Sequence, residues 1–143
     1  MNVFVLDTSV AVKWFLPTKD EPLSNEALAL YEKYLRGEIR FIIPDLFWAE
    51  LGSAFWRAIR LGRFPKESAQ EAITYLMKCD LPVFSIATLL ERAFSIATVF
   101  DRTVYDSLYV ALAVQSGTQL VTADERLANA LAAHFPVKWL GAI

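Results

Sequence analysis

Short apolar runs that alternate with longer helical segments constrain this chain more than any other feature. Val3–Leu6, Phe41–Ile43, Gln119–Thr122 and Val137–Leu140 are such runs, with a weaker one at Asp80–Phe84. Each is too short for helical periodicity to show, and each reads as a buried strand. Helical stretches separate them. Strands joined through helices pair in parallel, because a parallel pair needs a long crossover, and the crossovers are right-handed. The expectation is an α/β chain: a parallel sheet of about five short strands with helices on both faces, in one domain spanning residues 1–143.

The helices are marked by their ends. Pro17 stops a short apolar helix over Val10–Leu16, and Thr18–Pro22 is polar and loop-like. A helix over Ser24–Arg36 turns Ala27, Leu28, Leu30, Tyr31, Tyr34 and Leu35 to one side and ends at Gly37. Asp45 is placed as the N-cap of a helix that runs to Leu61 and stops at Gly62. Pro65 opens the next, over Lys66–Cys79. Ser85 and Thr103 cap helices over Ile86–Phe100 and onward to Gln115, with Gly117 as a stop, and Glu125–Ala133 is the last helix. The helix before Leu61 carries Leu46, Phe47, Trp48, Leu51, Phe55, Trp56 and Ile59, apolar on nearly every side. That predicts cover from several directions, part of it from a second subunit.

Composition narrows the class. Of 143 residues 55 % are hydrophobic, and one is cysteine, Cys79, so no internal disulfide forms and a reducing compartment is expected. No charged segment followed by a long apolar run opens the chain, and apolar stretches are interrupted well before the ~20 residues of a membrane span. A cytoplasmic protein is expected. The net charge of −2 is not that of a protein that coats phosphates, so any nucleic-acid affinity has to come from local cations. Lys13, Arg57, Arg60, Arg63 and Lys66 are the candidates, Arg57 and Arg60 foremost because they follow Glu50 on the same helix.

Four acids stand among apolar neighbours. Asp7 ends the first strand, and Asp124 follows the Gln119–Thr122 strand in the same way. Glu50 lies between Ala49 and Leu51 in the aromatic helix, and Asp106 lies in the first turn of the helix after Thr103. Each has an ordinary explanation: a turn at Asp7, a wet stripe at Glu50, a helix dipole at Asp106, an N-cap at Asp124. Together they read otherwise. Asp7 and Asp124 share the C-terminal edge of the sheet, where open α/β sheets bind ligands. Carboxylates gathered there repel, and a divalent cation relieves the repulsion. Oxygen-only ligands suit Mg²⁺ or Mn²⁺, and the lone His134 and Cys79 do not make a zinc site. Such an ion on carboxylates points to phosphate chemistry. Asp101, a fifth acid, reads as a cap or turn before the Asp106 helix.

Val5-Leu6-Asp7-Thr8-Ser9, the Pro44–Leu51 segment with Ala49-Glu50-Leu51, the run Tyr105-Asp106-Ser107-Leu108-Tyr109-Val110-Ala111-Leu112-Ala113 and Val121-Thr122-Ala123-Asp124-Glu125-Arg126-Leu127 resemble, in this order, the PIN-domain nucleases. The likeness is greatest to the VapC-type toxins of VapBC toxin–antitoxin pairs. The resemblance covers almost the whole chain and implies a three-layer α/β/α sandwich. It implies Mg²⁺- or Mn²⁺-dependent cleavage of RNA, with Asp7 and Asp106 as principal metal ligands and Glu50 and Asp124 completing the acidic cluster. Ser9 and Thr122 would hydrogen-bond the carboxylates or water. It also implies a homodimer and a small VapB-like antitoxin whose tail enters the acidic cleft, where an arginine would pair with the carboxylates. The aromatic helix around Phe47, Trp48, Phe55 and Trp56 is a place for such contacts or simply core. Four alternatives stand beside this reading: a non-catalytic module on the same fold, an rRNA-processing nuclease, a DNA-cleaving nuclease, and a haloacid-dehalogenase-like phosphatase. The last needs an acid two residues after its nucleophilic Asp, where this chain has Ser9.

Overall fold

The computed structural model describes residues 2–143. Five parallel strands form one sheet in the order β3-β2-β1-β4-β5, where β1 is Asn2–Leu6, β2 Ile39–Pro44, β3 Val83–Phe84, β4 Gln119–Thr122 and β5 Val137–Trp139. Seven α-helices accompany it: α1 Thr8–Ala11, α2 Ser24–Leu35, α3 Leu46–Arg60, α4 Lys66–Lys78, α5 Ile86–Phe100, α6 Val104–Ser116 and α7 Glu125–Leu131.

Alternation along the strands sorts the side chains into two cores. Leu6, Phe41, Ile43 and Val121 face one side and pack with α1–α4, where Phe47, Leu51, Phe55 and Leu76 are buried. Val5, Ile42, Leu120 and Val137 face the other and pack with α5–α7. The register puts Val5 beside both Ile42 and Leu120, and Leu6 beside Val121, so like faces meet across the strands. The three-layer α/β/α sandwich follows.

The structure moves several boundaries. The first helix starts at Thr8 rather than Val10, directly on the end of β1, and continues as a 3₁₀ turn over Val12–Trp14. β2 begins at Ile39, two residues before the apolar run, because pairing with β1 extends it: Asn2 and Val3 register with Ile39 and Arg40. Asp45 sits at the N-cap position of α3 with helical backbone angles, and its side chain makes no capping bond. Ser85, Thr103 and Asp124 do cap, accepting from Ala87 N, Asp106 N and Leu127 N respectively. The helix buried all round is α6, not α3. Ser107 to Ala113 are buried without interruption, whereas α3 leaves Trp56 55 % exposed and an open stripe beside the sheet edge.

α6 is thus the central strut of one core, and its first turn depends on one hydroxyl. Thr103 Oγ1 accepts from the Asp106 amide at 3.0 Å, and the Thr103 carbonyl accepts from Ser107 Oγ at 2.8 Å. Thr103→Ala is expected to cost about 1 kcal/mol, the usual worth of a side-chain cap. A lower urea midpoint at unchanged m-value would show it.

Candidate active site

The sheet order turns back at β1. The chain passes from β1 outward to β2 and β3 on one side, and β4 and β5 lie on the other. Open α/β sheets bind ligands in the crevice beyond the strand ends at such a point. Asp7 directly follows β1, and Asp124 follows β4 by two residues. Glu50 comes from a stripe of α3 that also presents Ala49, Ser53, Ala54 and Arg57, residues spaced at three to four along the helix. Asp106 comes from the first turn of α6. All four acids line one cavity of about 570 Å³.

Asp7 is fixed through one of its oxygens. Oδ2 accepts from Ser9 Oγ at 2.7 Å and from Thr122 Oγ1 at 2.7 Å. The same two hydroxyls accept backbone N–H groups, Ala123 at 3.0 Å on Ser9 and Asp124 at 3.1 Å on Thr122. A hydroxyl has a single proton, so both give theirs to the carboxylate. The Ser9 backbone N–H adds a further hydrogen bond to the carboxylate.

Glu50 is held by a group that sequence reasoning did not single out. Tyr109, 2 % exposed, donates to Glu50 Oε1 at 2.7 Å. Thr8 Oγ1 lies 2.9 Å from the same phenol, and with the phenol proton on Glu50, Thr8 is the donor in that contact. Burial first, and then the negative charges of Asp7 and Glu50, hold the Tyr109 phenol protonated well above its ordinary range. A signal was present in the sequence: Tyr109 stands one helical turn after Asp106, and Thr8 adjoins Asp7.

The other candidates divide. Asp124 lines the cavity and also caps α7, its Oδ1 accepting from Leu127 N at 3.1 Å, so the cap expected of this acid is made. Arg57 lines the cavity. Arg60 does not; its guanidinium lies 4.9 Å from the Trp56 ring centroid. Lys13 corrects the expectation of an RNA-facing cation. It is buried, 6 % exposed, with Nζ 3.2 Å from Glu21 Oε1, because the 3₁₀ turn that carries it folds inward. Asp101 caps the end of α5 in the left-handed region, φ 56°, away from the cavity lining. Phe47 and Phe55 are core; Trp56 is exposed.

The donor set fits a hard divalent cation in its chemistry, since the acids lining the cavity offer only oxygen. It is not a closed cage. Among the described residues, no three acidic, histidine or cysteine side chains converge tightly enough to hold an ion between them.

Without a cation the acids strain one another. Burial raises the pKa of Asp7, opposed by the Thr122 and Ser9 bonds and reinforced by the charge of Asp106. Burial also raises Glu50, opposed by the Tyr109 bond and reinforced by Asp7 and Asp106. Asp106 is raised by burial and then by Asp124. Acids whose pKa is higher folded than unfolded bind more protons in the native state, so stability falls as pH rises from the ordinary carboxylate range through the raised values. Metal-free protein is therefore expected to melt at progressively lower temperature from pH 4 towards neutrality. Asp7→Asn should flatten that slope and melt higher than wild type near neutral pH; a variant melting well below wild type would show that Asp7 is not under this repulsion.

Comparison with known proteins places this geometry. Residues 4–131 match the model of the PIN domain. The chain is 35 % identical over 127 residues to Ribonuclease VapC3 of Pyrobaculum aerophilum, covering 87 % of this chain and 92 % of that protein. Three solved structures share the fold. PAE2754 of the same organism superposes with a TM-score of 0.72 at 22 % identity, covering 99 % of this chain and 85 % of that one. VapBC2 of Rickettsia felis, bound to a DNA fragment from its promoter, gives 0.65 at 16 %, covering 96 % and 98 %. A toxin–antitoxin complex of Klebsiella pneumoniae gives 0.59 at 15 %, covering 96 % of each chain. With the family model spanning nearly every element and a relative alike over most of both lengths, the chain belongs to the PIN domain family.

Proposed function

We propose that this chain is a Mg²⁺- or Mn²⁺-dependent endoribonuclease, the toxin of a type II toxin–antitoxin pair, acting as a single PIN-like domain. The observation that carries the reading is the gathering of Asp7, Glu50, Asp106 and Asp124 around one cavity at the turning point of the sheet, with Asp7 held by Ser9 and Thr122. The likeness to Ribonuclease VapC3 supports RNA as the substrate.

Asp7 and Asp106 would be the principal metal ligands, with Glu50 and Asp124 completing the site or orienting the attacking water. When bound, the ion supplies Lewis-acid polarisation of the phosphodiester, an acidified water and charge for the leaving oxygen. The chain's own groups do the rest. Ser9 and Thr122 aim Asp7 and favour its ionised form against the effect of burial. Tyr109 orients Glu50 by a 2.7 Å hydrogen bond to Oε1. Arg57, on the same stripe as Glu50, offsets the acidic field where a phosphate has to approach. Ser9 commits its proton to Asp7, which leaves no general acid at the position a haloacid-dehalogenase-like phosphatase requires.

The proposal includes a small antitoxin as partner, since solved neighbours of this fold are VapBC2 and a toxin–antitoxin complex. An antitoxin arginine would compete with the cation for the carboxylates. A homodimer is proposed as well. Leu90 at 46 % and Phe94 at 60 % exposure lie one turn apart on α5 and leave an apolar pair for a second copy to cover. Among the described residues no helix is long and apolar enough to cross a membrane, which fits the proposed cytoplasmic setting.

Purified protein incubated with mixed cellular RNA should give discrete products with Mg²⁺ or Mn²⁺, none with chelator, and none from Asp106→Asn. Products that persist in that variant would dismiss this site as their source. Tyr109→Phe should weaken Mn²⁺ binding by about tenfold or more, as loss of a partner behind a metal ligand typically does. Titration calorimetry reads that directly, and unchanged affinity would show that Glu50 does not need the phenol.

A further inference from the structure

A second cavity, of about 190 Å³, opens beside the acidic one, and Ala54 and Arg57 line both. Its two walls differ. One is the C-terminal part of α3 and the turn after it, with Ala54, Arg57, Ala58, Leu61 and Arg63; the other is the segment from Leu16 to Glu21. The first wall is apolar with two guanidiniums, and Leu61 is 67 % exposed. Among the described residues neither Arg57 nor Arg63 forms an ion pair, whereas Glu21 on the opposite wall is already matched by Lys13.

Arg63 is positioned rather than trailing. Gly62 ends α3 at φ 69°; its N–H bonds the Ile59 carbonyl at 3.0 Å, and the Arg63 N–H bonds the Ala58 carbonyl at 2.9 Å. This double bond pattern is the Schellman turn, which fixes the backbone two residues past the helix. The slot holds the volume of about six water molecules, the scale of a single planar base and far below that of a helix. Apolar walls take the face of a base, and arginines take phosphate. Asp20, on the other wall, repels a phosphate there and can accept from base N–H groups, which orients a nucleotide with its phosphate towards α3.

We infer that this slot is a nucleotide subsite for single-stranded RNA, holding the base next to the phosphodiester that lies in the acidic cavity, with Arg57 and Arg63 on the intervening and outer phosphates. The inference rests on the ribonuclease reading and extends it to how the strand leaves the site.

The test uses the cleavage-inactive Asp106→Asn protein and a short fluorescein-labelled single-stranded RNA of mixed sequence, with binding followed by anisotropy across a salt series. Adding Arg63→Gln should weaken binding severalfold and reduce the slope of log affinity against log salt by about 0.7, one phosphate contact on a single strand. Leu61→Glu, at an exposed position, should also weaken it. Arg92→Gln, on α5 across the sheet, removes equal charge and should leave the slope as it was. In the otherwise native enzyme, Arg63→Gln should raise KM severalfold with kcat nearly unchanged, and Mn²⁺ affinity should not move. Wild-type slope and affinity in Arg63→Gln, or an equal loss in Arg92→Gln, would overturn the subsite while cleavage by the wild type still stood. Loss of binding to an antitoxin peptide without loss of RNA binding would give the slot to a protein partner and overturn it too. A wild type that neither cuts nor binds RNA removes the ribonuclease reading, and the subsite with it.

Discussion

The hydrogen bonds from Ser9 and Thr122 to one oxygen of Asp7 join the ends of β1 and β4, and the rest of the site is arranged around them. A carboxylate at the end of a buried strand has lost most of its water and needs donors to remain charged. Here one donor is the last residue of β4 and the other lies in the first turn of α1, and each accepts a backbone N–H. The parallel register puts Leu6 beside Val121, which brings Thr122 to Asp7. The sheet's pairing and the carboxylate's solvation are therefore one arrangement, set by the same few residues.

A second brace acts from the other side. Thr8, Tyr109 and Glu50 belong to α1, α6 and α3, and their hydroxyl and carboxylate groups meet in sequence under the cavity. α6 can offer a phenol at that depth because Ser107 to Ala113 are buried on every side. A helix with so little polar surface is held only by its packing, and this makes it a stiff support for Asp106 one turn earlier. Acids that repel one another are in this way mounted on parts of the fold that yield least.

Much of this was legible from residue order. The strand-and-helix alternation carried the parallel sheet, and Ser85, Thr103 and Asp124 declared their helices because a short polar side chain before an apolar run has little else to do. Asp7 and Asp124 could be placed on one edge because both follow strands. What stayed hidden depends on distance in space. The Tyr109–Glu50 contact joins residues 59 apart, and no local pattern encodes it. Lys13 reads as a surface cation until the turn that carries it folds in against Glu21. The apolar count of α3 overstated its burial, since a cavity can line a helix as well as a core can. Asp45 sits before a helix as a cap should, but its backbone is already helical, and its side chain cannot reach back to the first amides.

Asp124 has two employments with different requirements. Capping α7 needs only an acceptor oxygen, and asparagine supplies one about as well as aspartate does. The charge adds a modest attraction to the positive end of α7 and otherwise faces the cavity. The fold therefore sets only a small toll on neutralising this position: a single amide in place of the acid would leave α7 begun where it is and would remove one charge from the cavity. Of the four acids, this is the one at which a lineage could drift from enzyme to mere binding scaffold without its architecture registering the change.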